Sequence, residues 1–183
     1  WFNTENKWDS LIKNSLFNGN SAGLDGGAII AGQITDGDLN LSIQNTKFSN
    51  NQTRLKNYNG AIYYQAGIDK TAIGSLNITN SIFDNNQGAI GINSGPFGQF
   101  AGEITNSTFY DNGEIPILKT NSTALADSTG YSRLHIRNSI IWETITPFYP
   151  LLVGGNFENT NLFGYQLSDN LIGPTFDPSI PGA

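Results

Sequence analysis

The sequence predicts an all-β protein folded as a parallel β-helix, a solenoid of about six coils, and three observations support this fold class. A phrase centred on Asn recurs at a spacing typical of stacked repeats. Apolar and polar residues alternate with the period of two that a strand imposes. Charged residues are only 13% of the 183 residues, which argues against a helical bundle, because bundles need abundant Ala, Glu, Lys and Leu.

The recurring phrase predicts a strand, a corner at Asn and a second strand. Its corner residues lie 31, 35, 26 and 32 residues apart, at Asn14, Asn45, Asn80, Asn106 and Asn138. Such variable spacing indicates coils that share a core and differ in loop length. The alternation changes phase at each Asn, so that the next inward residue comes three positions later. Asn suits a sharp corner because it tolerates the left-handed backbone conformation.

Stacked coils would align equivalent residues in columns. We expect the corner amides to hydrogen-bond from rung to rung. A hydroxyl ladder is predicted in the next column, at Ser15, Thr46, Ser81, Ser107 and Ser139. The column three residues after the corner is predicted to stack as the hydrophobic core, with rungs ~4.8 Å apart. Its members are Phe17, Phe48, Phe83, Phe109 and Ile141. An antiparallel sandwich would also alternate, but it would not require the same corner in every repeat.

The chain is predicted to form one domain with regular coils over residues 10–145. Residues 1–9 are predicted to be an N-terminal cap or an incomplete coil, and residues 146–183 irregular closing coils. A β-helix exposes unpaired backbone groups at both ends, and no obvious amphipathic cap follows the last coil. We therefore expect a segment of a longer protein, or a partner that completes the end.

Charge and composition exclude several classes of partner and site. A net charge of −6 and a pI near 4.5 lack the basic footprint that nucleic acid requires. No apolar run approaches the ~20 residues that cross a bilayer, so no transmembrane segment is predicted. The absence of Cys excludes disulfides, thiolate catalysis and Cys-based metal sites.

Two paired motifs resemble a known group of proteins. Phe-x-x-Asn occurs at residues 17–20, 48–51, 83–86 and 109–112, and Gly-Gly-Ala-Ile at residues 26–29. Over about residues 10–145, these motifs resemble polymorphic outer membrane protein repeats and the wider bacterial right-handed parallel β-helix surface proteins. The resemblance implies a right-handed helix, an extracellular or cell-surface location and adhesion. We therefore expect a non-enzymatic module, adhesin-like or part of a surface assembly, whose partners are proteins or surface glycans.

An alternative prediction is an enzyme acting on an acidic polysaccharide, because parallel β-helices also carry lyases, hydrolases and epimerases. Arg133, His135 and Arg137 alternate with apolar residues and should project outward together. Glu103 occupies the position equivalent to His135 on the preceding coil. His135 could then act as a base while the arginines hold carboxylates. The competing interpretation is a solvated rung with ordinary cross-strand ion pairs.

Three weaker signals lie outside that rung. Asp36 and Asp38 could ligate Ca²⁺ with loop carbonyls, although a turn with solvated Asp is the favoured interpretation, and no other cofactor is predicted. Trp142, Phe148 and Tyr149 lie in an aromatic run that could contact a partner or cover an end of the solenoid. The open ends themselves could support end-to-end self-association.

Overall fold

The structure is a computed structural model that describes residues 7–32, 37–54, 60–66, 73–94, 99–113, 115–121, 132–142, 144, 151–154 and 163–173. These residues form 19 strands and no helix, so none of them builds a helix able to cross a membrane. In chain order the strands are β1 (Lys7–Lys13), β2 (Leu16–Asn18), β3 (Ser21–Ala22), β4 (Ile29–Gly32), β5 (Asp38–Gln44), β6 (Lys47–Ser49), β7 (Gln52–Thr53), β8 (Ile62–Ala66), β9 (Ile73–Thr79), β10 (Ile82–Asp84), β11 (Ile90–Ser94), β12 (Gln99–Thr105), β13 (Thr108–Tyr110), β14 (Ile117–Asn121), β15 (Ser132–Arg137), β16 (Ile140–Trp142), β17 (Leu151–Gly154), β18 (Phe163–Ser168) and β19 (Leu171–Gly173).

The strands assemble into three long parallel sheets and a short fourth sheet. The first sheet has six strands in the order β1-β5-β9-β12-β15-β18, and the second has six in the order β2-β6-β10-β13-β16-β19. The third sheet has five, in the order β4-β8-β11-β14-β17, and β3 pairs with β7. Neighbouring strands in each sheet come from successive coils and pair in parallel. The prediction of an all-β parallel β-helix is confirmed.

Five of the described coils turn at a predicted Asn corner between the first and second sheets, and the sixth turns at Asp169 (φ 55°). The φ angles there are positive, at 52°, 49°, 49°, 51° and 48° for Asn14, Asn45, Asn80, Asn106 and Asn138. The predicted side-chain ladder forms only in part: Asn45 Nδ2 donates to Asn14 Oδ1 (3.3 Å) and Asn138 Nδ2 donates to Asn106 Oδ1 (2.5 Å). These amides are exposed, so water competes for their hydrogen bonds.

The hydroxyl column forms a continuous ladder, but its hydrogen bonds join side chains to the backbone and not side chains to one another. Each hydroxyl donates to the carbonyl two residues earlier, and from Thr46 onward each also accepts the backbone N–H of the equivalent residue on the preceding coil. Ser81 Oγ, for example, donates to Thr79 O (2.9 Å) and accepts from Thr46 N (3.3 Å). The same bonds join Ser15, Thr46, Ser107 and Ser139 to their neighbours. The backbone N–H of the residue after each corner Asn is therefore satisfied by a side chain of the next coil.

The aromatic column stacks as the sequence predicts. Successive ring centroids of Phe17, Phe48, Phe83 and Phe109 lie 4.9, 4.9 and 4.8 Å apart, with interplanar angles of 5°, 6° and 1°. Ile141 follows Phe109 in register. Burial is complete from Phe48 onward, whereas Phe17, on the first coil, is only partly buried. The column is the centre of a continuous hydrophobic core.

A second and deeper amide ladder lies at the Asn of the Phe-x-x-Asn motif. Asn20, Asn51 and Asn86 each donate a side-chain N–H to the Oδ1 of the next Asn in the column, over 2.9, 2.8 and 2.8 Å, ending at Asn112. The backbone N–H of each donor residue also points to that same Oδ1. Asn51, Asn86 and Asn112 are buried. This interior ladder satisfies polar groups at every rung it crosses.

The small residues before the third sheet allow backbones to touch. A Cβ on Gly60 would lie 2.7 Å from Gln87 O and 2.8 Å from Asn51 O. A Cβ on Gly27 would lie 2.3 Å from Gly60 O. Only glycine fits at these positions, which explains the Gly-Ala-Ile blocks.

Tyr64 is a buried core residue whose ionisation is coupled to folding. Its hydroxyl donates to Leu39 O over 2.6 Å, and burial raises its pKa well above the ordinary 10.0. The unfolded chain loses this proton near the ordinary pKa while the folded chain keeps it, so the free energy of unfolding should fall as the pH rises above 10. The stability contributed by this group is fully present below that pH.

We expect Tyr64→Phe to lower the free energy of unfolding at neutral pH by about 0.5–1.5 kcal/mol, because one buried hydrogen bond is lost. The same variant should lose less stability than the wild type between about pH 8 and pH 11, because Phe does not ionise. Urea unfolding at both pH values measures the two effects. Tyr110→Phe, at an exposed position, is the control and should leave the alkaline loss unchanged.

Candidate binding surfaces

The first sheet presents a flat polar face to solvent. Pairing aligns Asn40 with Ser75, Ser42 with Asn77 and Gln44 with Thr79. These outward positions carry uncharged amide and hydroxyl groups, which can exchange hydrogen bonds with a ligand at little desolvation cost compared with ions.

The charged rung predicted from the sequence lies on this face. The register places Glu103 opposite His135, Ala101 opposite Arg133 and Thr105 opposite Arg137. The structure therefore brings Glu103, Arg133, His135 and Arg137 together on two neighbouring strands, β12 and β15. Glu103 pairs diagonally with Arg137, whose Nη2 donates to Glu103 Oε1.

The contacts of this rung decide what it can do chemically. The Glu103–Arg137 pair is partly solvent-exposed, with side-chain exposures of 39% and 50%, so it contributes about 0–1 kcal/mol. In this ion pair the Glu103 carboxylate and the Arg137 guanidinium are already bound to each other, although acid–base chemistry on an acidic sugar would use both. His135 Nε2 is buried and has no hydrogen-bond partner among the described residues. Arg133 has interactions of its own.

The calcium prediction stays a prediction. Asp38 Oδ1 accepts the backbone N–H of Ile73 over 3.2 Å, and Asp36 lies outside the described residues. Within the described part of the chain, no group of three or more His, Cys, Asp or Glu side chains is arranged to hold a metal ion.

An aromatic pair stands on the outer face of the second sheet. Tyr110 on β13 and Trp142 on β16 are directly opposite in register and are 44% and 37% exposed. Phe148 and Tyr149, predicted as contact residues together with Trp142, lie outside the described residues. Two other aromatics, Tyr64 and Phe100, are buried, with ring centroids 5.5 Å apart.

The first coil exposes apolar side chains that are covered on later coils. Trp8 on β1 is 52% exposed, whereas Phe100, in the same column on β12, is fully buried. β1 is also the edge strand of the first sheet. Self-association through such an edge stays a prediction.

A polar groove runs across the rungs at the second corner of the coil, just after the second sheet. Corner residues Gly19, Asn50, Asn85 and Asp111 have φ angles of 67°, 55°, 53° and 52°. The groove has a volume of about 550 Å³, and among its lining side chains are those of Asn50, Gln52, Asn85, Gln87, Asp111 and Thr144. We call it the amide groove.

The side chains at this corner are fixed by hydrogen bonds along the solenoid. Asn85 Nδ2 donates to Asn50 Oδ1 (2.7 Å), and Asn50 Nδ2 donates to Asn18 Oδ1 (2.9 Å). Asp111 Oδ1 accepts from Thr144 N (3.1 Å) and from Thr144 Oγ1 (2.5 Å). The signal in the sequence is an Asn or Asp two residues after three of the four stacked Phe residues, at 50, 85 and 111. The amide groove was not among the predicted sites.

Comparison with known proteins leaves the family open. No protein-family model, curated protein or solved structure matches this chain.

Proposed function

We propose that the chain is a non-enzymatic binding module of an extracellular or cell-surface protein, either adhesin-like or a structural part of a surface assembly. The observation that carries the proposal is the regular display of uncharged amide and hydroxyl groups on a core fixed by internal ladders. On β5 and β9, the outward positions of Asn40, Ser42 and Gln44 and their register partners offer hydrogen bonds in fixed positions without charges that must be desolvated.

The rigid scaffold favours ligand binding over a form of catalysis that depends on a mobile site. Phe stacking, the hydroxyl ladder and the interior amide ladder tie the first five coils to one another. Side chains on strands of such a solenoid hold their spacing, so that little conformational entropy is lost when a ligand binds. Surface glycans and proteins are the partners that we propose. The sequence resemblance to bacterial surface repeats supports the extracellular location.

The alternative proposal, a polysaccharide-active enzyme, also has an observation in its favour. Glu103 and His135 lie opposite each other between two arginines, and His135 Nε2 is buried without a hydrogen-bond partner in the described part of the chain. An acidic sugar could displace Glu103 from Arg137 and leave His135 as the base. Against it, the resting rung has its carboxylate paired with Arg137.

One assay separates the two proposals. We expect the wild-type chain to bind one or more polysaccharides and to release no reducing or unsaturated ends, and His135→Ala to bind as tightly as the wild type. Binding is measured by calorimetry and product release by absorbance and reducing-end assays. Arg54→Ala, at an exposed position outside the first sheet, is the matched control. Product release by the wild type that disappears only in His135→Ala would overturn the proposed function and establish the enzyme.

A further inference from the structure

We propose that the amide groove and the adjacent aromatic pair, Tyr110 and Trp142, bind a neutral glycan whose hydroxyl groups fill a break in the hydrogen-bond ladder of the second corner. This inference rests on the proposed function and names the ligand class of that module. It concerns a site on the second corner, away from the charged rung of the first sheet.

The ladder of this corner breaks at one step. Asn85 donates to Asn50 in the same column, and Asn50 donates to Asn18, which lies one position before the corner Gly19 of the first coil, so each Asn gives its side-chain N–H to an amide oxygen of the preceding coil. The next residue in the column is Asp111, whose carboxylate has no hydrogen to donate. Asp111 therefore cannot donate to Asn85 Oδ1, and the pattern of the two preceding steps ends there.

Two acceptors consequently face the groove on neighbouring coils. Asn85 Oδ1 receives no hydrogen bond from the described residues, while Asp111 keeps Oδ2 beyond the Oδ1 that Thr144 occupies. Asn85 is exposed, so water satisfies these acceptors, on rungs ~4.8 Å apart, in the free chain, and a ligand binds by replacing that water with donors of its own. Hydroxyl groups on neighbouring carbons of a sugar ring supply two O–H donors at a suitable separation. The carboxylate strengthens such bonds, because charge-assisted hydrogen bonds are about twice as strong as neutral ones.

The aromatic pair adds an apolar surface beside these acceptors. Tyr110 directly precedes Asp111, and the backbone N–H of Asp111 donates to Trp142 O over 3.2 Å. Both rings are exposed on the outer face of the second sheet. Sugar rings have apolar C–H faces that stack on aromatic side chains, while their edges make hydrogen bonds. An extended glycan lying across the coils can contact the rings and the corner acceptors together.

The charges near the groove favour a neutral ligand. Asp111 is the one charged side chain that lines the groove among the described residues. The nearest described ion pair on the second sheet, Lys47 with Asp84 at 2.9 Å, already neutralises its cation. An acidic glycan would therefore meet a carboxylate without an opposing cation. Amides and an aromatic pair suit uncharged hydroxyl-rich ligands instead.

Asp111→Asn tests whether the break in the ladder contributes to glycan binding, because the substitution should raise stability and weaken binding. The new amide can donate to Asn85 Oδ1 and complete the ladder, and Asn tolerates the positive φ of this position. We expect the Tm without ligand to rise by about 2 °C or more. The same substitution removes the charged acceptor and fills the gap, so the affinity for a neutral glycan should fall about tenfold.

Matched variants isolate the site. Asp9→Asn removes the same charge on β1, remote from the groove in the first sheet, and should leave glycan affinity unchanged. Trp142→Ala and Tyr110→Ala should each weaken binding about tenfold, because one stacking surface is lost. The probes are soluble hexasaccharides of glucose, mannose and xylose, with hexagalacturonate as the acidic counterpart. Isothermal titration calorimetry measures affinity, and each probe is repeated with Ca²⁺ and with EDTA.

Support requires that the wild type binds at least one neutral hexasaccharide and that Asp111→Asn raises the Tm while weakening that binding. Neutral glycan binding that is equal in the wild type, Asp111→Asn and Trp142→Ala would overturn this site and leave the proposed binding module intact. Preference for hexagalacturonate, or a Tm increase caused by Ca²⁺ alone and abolished in Asp111→Asn, would also overturn it. Cleavage of any probe by the wild type would contradict the proposed function itself.

Discussion

Asn86→Ala should destabilise the protein by about 4 kcal/mol or more, because one side chain serves four buried hydrogen bonds. Its Oδ1 accepts from the N and Nδ2 of Asn51 (3.0 and 2.8 Å). Its Nδ2 donates to Asn112 Oδ1 (2.8 Å) and to Phe48 O (3.1 Å). Alanine leaves these partners without their bonds in a space closed to water. A loss of this size is a large part of the ~5–15 kcal/mol that stabilises a typical domain.

Urea unfolding followed by circular dichroism measures this loss. Asn77→Ala, at an exposed position on β9, makes the same chemical change and should alter stability by less than about 0.5 kcal/mol. Because solenoid stability is a sum of coil and interface terms, hydrogen exchange should also rise most on the coils next to Asn86. Equal effects of the two substitutions would show that the interior ladder does not stabilise the fold.

Phe83→Ala is expected to cost about 3–5 kcal/mol. Phe83 is fully buried and is stacked between Phe48 and Phe109 at centroid distances of 4.9 and 4.8 Å. Alanine removes its apolar area and leaves a cavity that rings held by neighbouring strands cannot fill. Two stacking contacts are lost as well, each worth about 0.5–1.5 kcal/mol beyond burial.

Phe17→Ala is the matched control, and it should cost clearly less. Phe17 stacks on one side only and is partly exposed on the first coil, so the substitution opens a site that water can reach. Thermal and urea unfolding of both variants give the comparison. A Phe83→Ala loss no greater than that of Phe17→Ala would contradict a core centred on the Phe column.

Much of the fold could be predicted because one backbone requirement recurs in the sequence. A sharp corner needs positive φ, and Asn at 14, 45, 80, 106 and 138 marks that corner directly. The Phe at a constant offset then fixes which side faces inward. The interior ladder was harder to predict, because polarity alone does not show that Asn51 or Asn86 points into the core. Burial of an amide depends on partners supplied by other coils.

The candidate sites were predicted less completely for the same reason. Counting from the corner places Glu103 opposite His135, but side-chain conformation selects Arg137 as the partner of Glu103. The amide groove arises from the stacking of second corners. The two neighbouring corner residues at its centre, Asn85 and Asp111, are 26 residues apart in the sequence. Counting from the corner places Asn50, Asn85 and Asp111 in one column, but only the structure shows that the Asn side chains hydrogen-bond along it and that the ladder ends at Asp111.

The central claim is that this solenoid binds a ligand and does not transform it. The most direct test mixes the wild-type chain with each polysaccharide at concentrations that saturate binding and measures the release of new chain ends over many hours. We expect a saturable heat of binding with no release above that of a heat-denatured sample. Continuous release of new ends that depends on the folded chain would contradict the claim and make the rung of Glu103, Arg133, His135 and Arg137 the site to study.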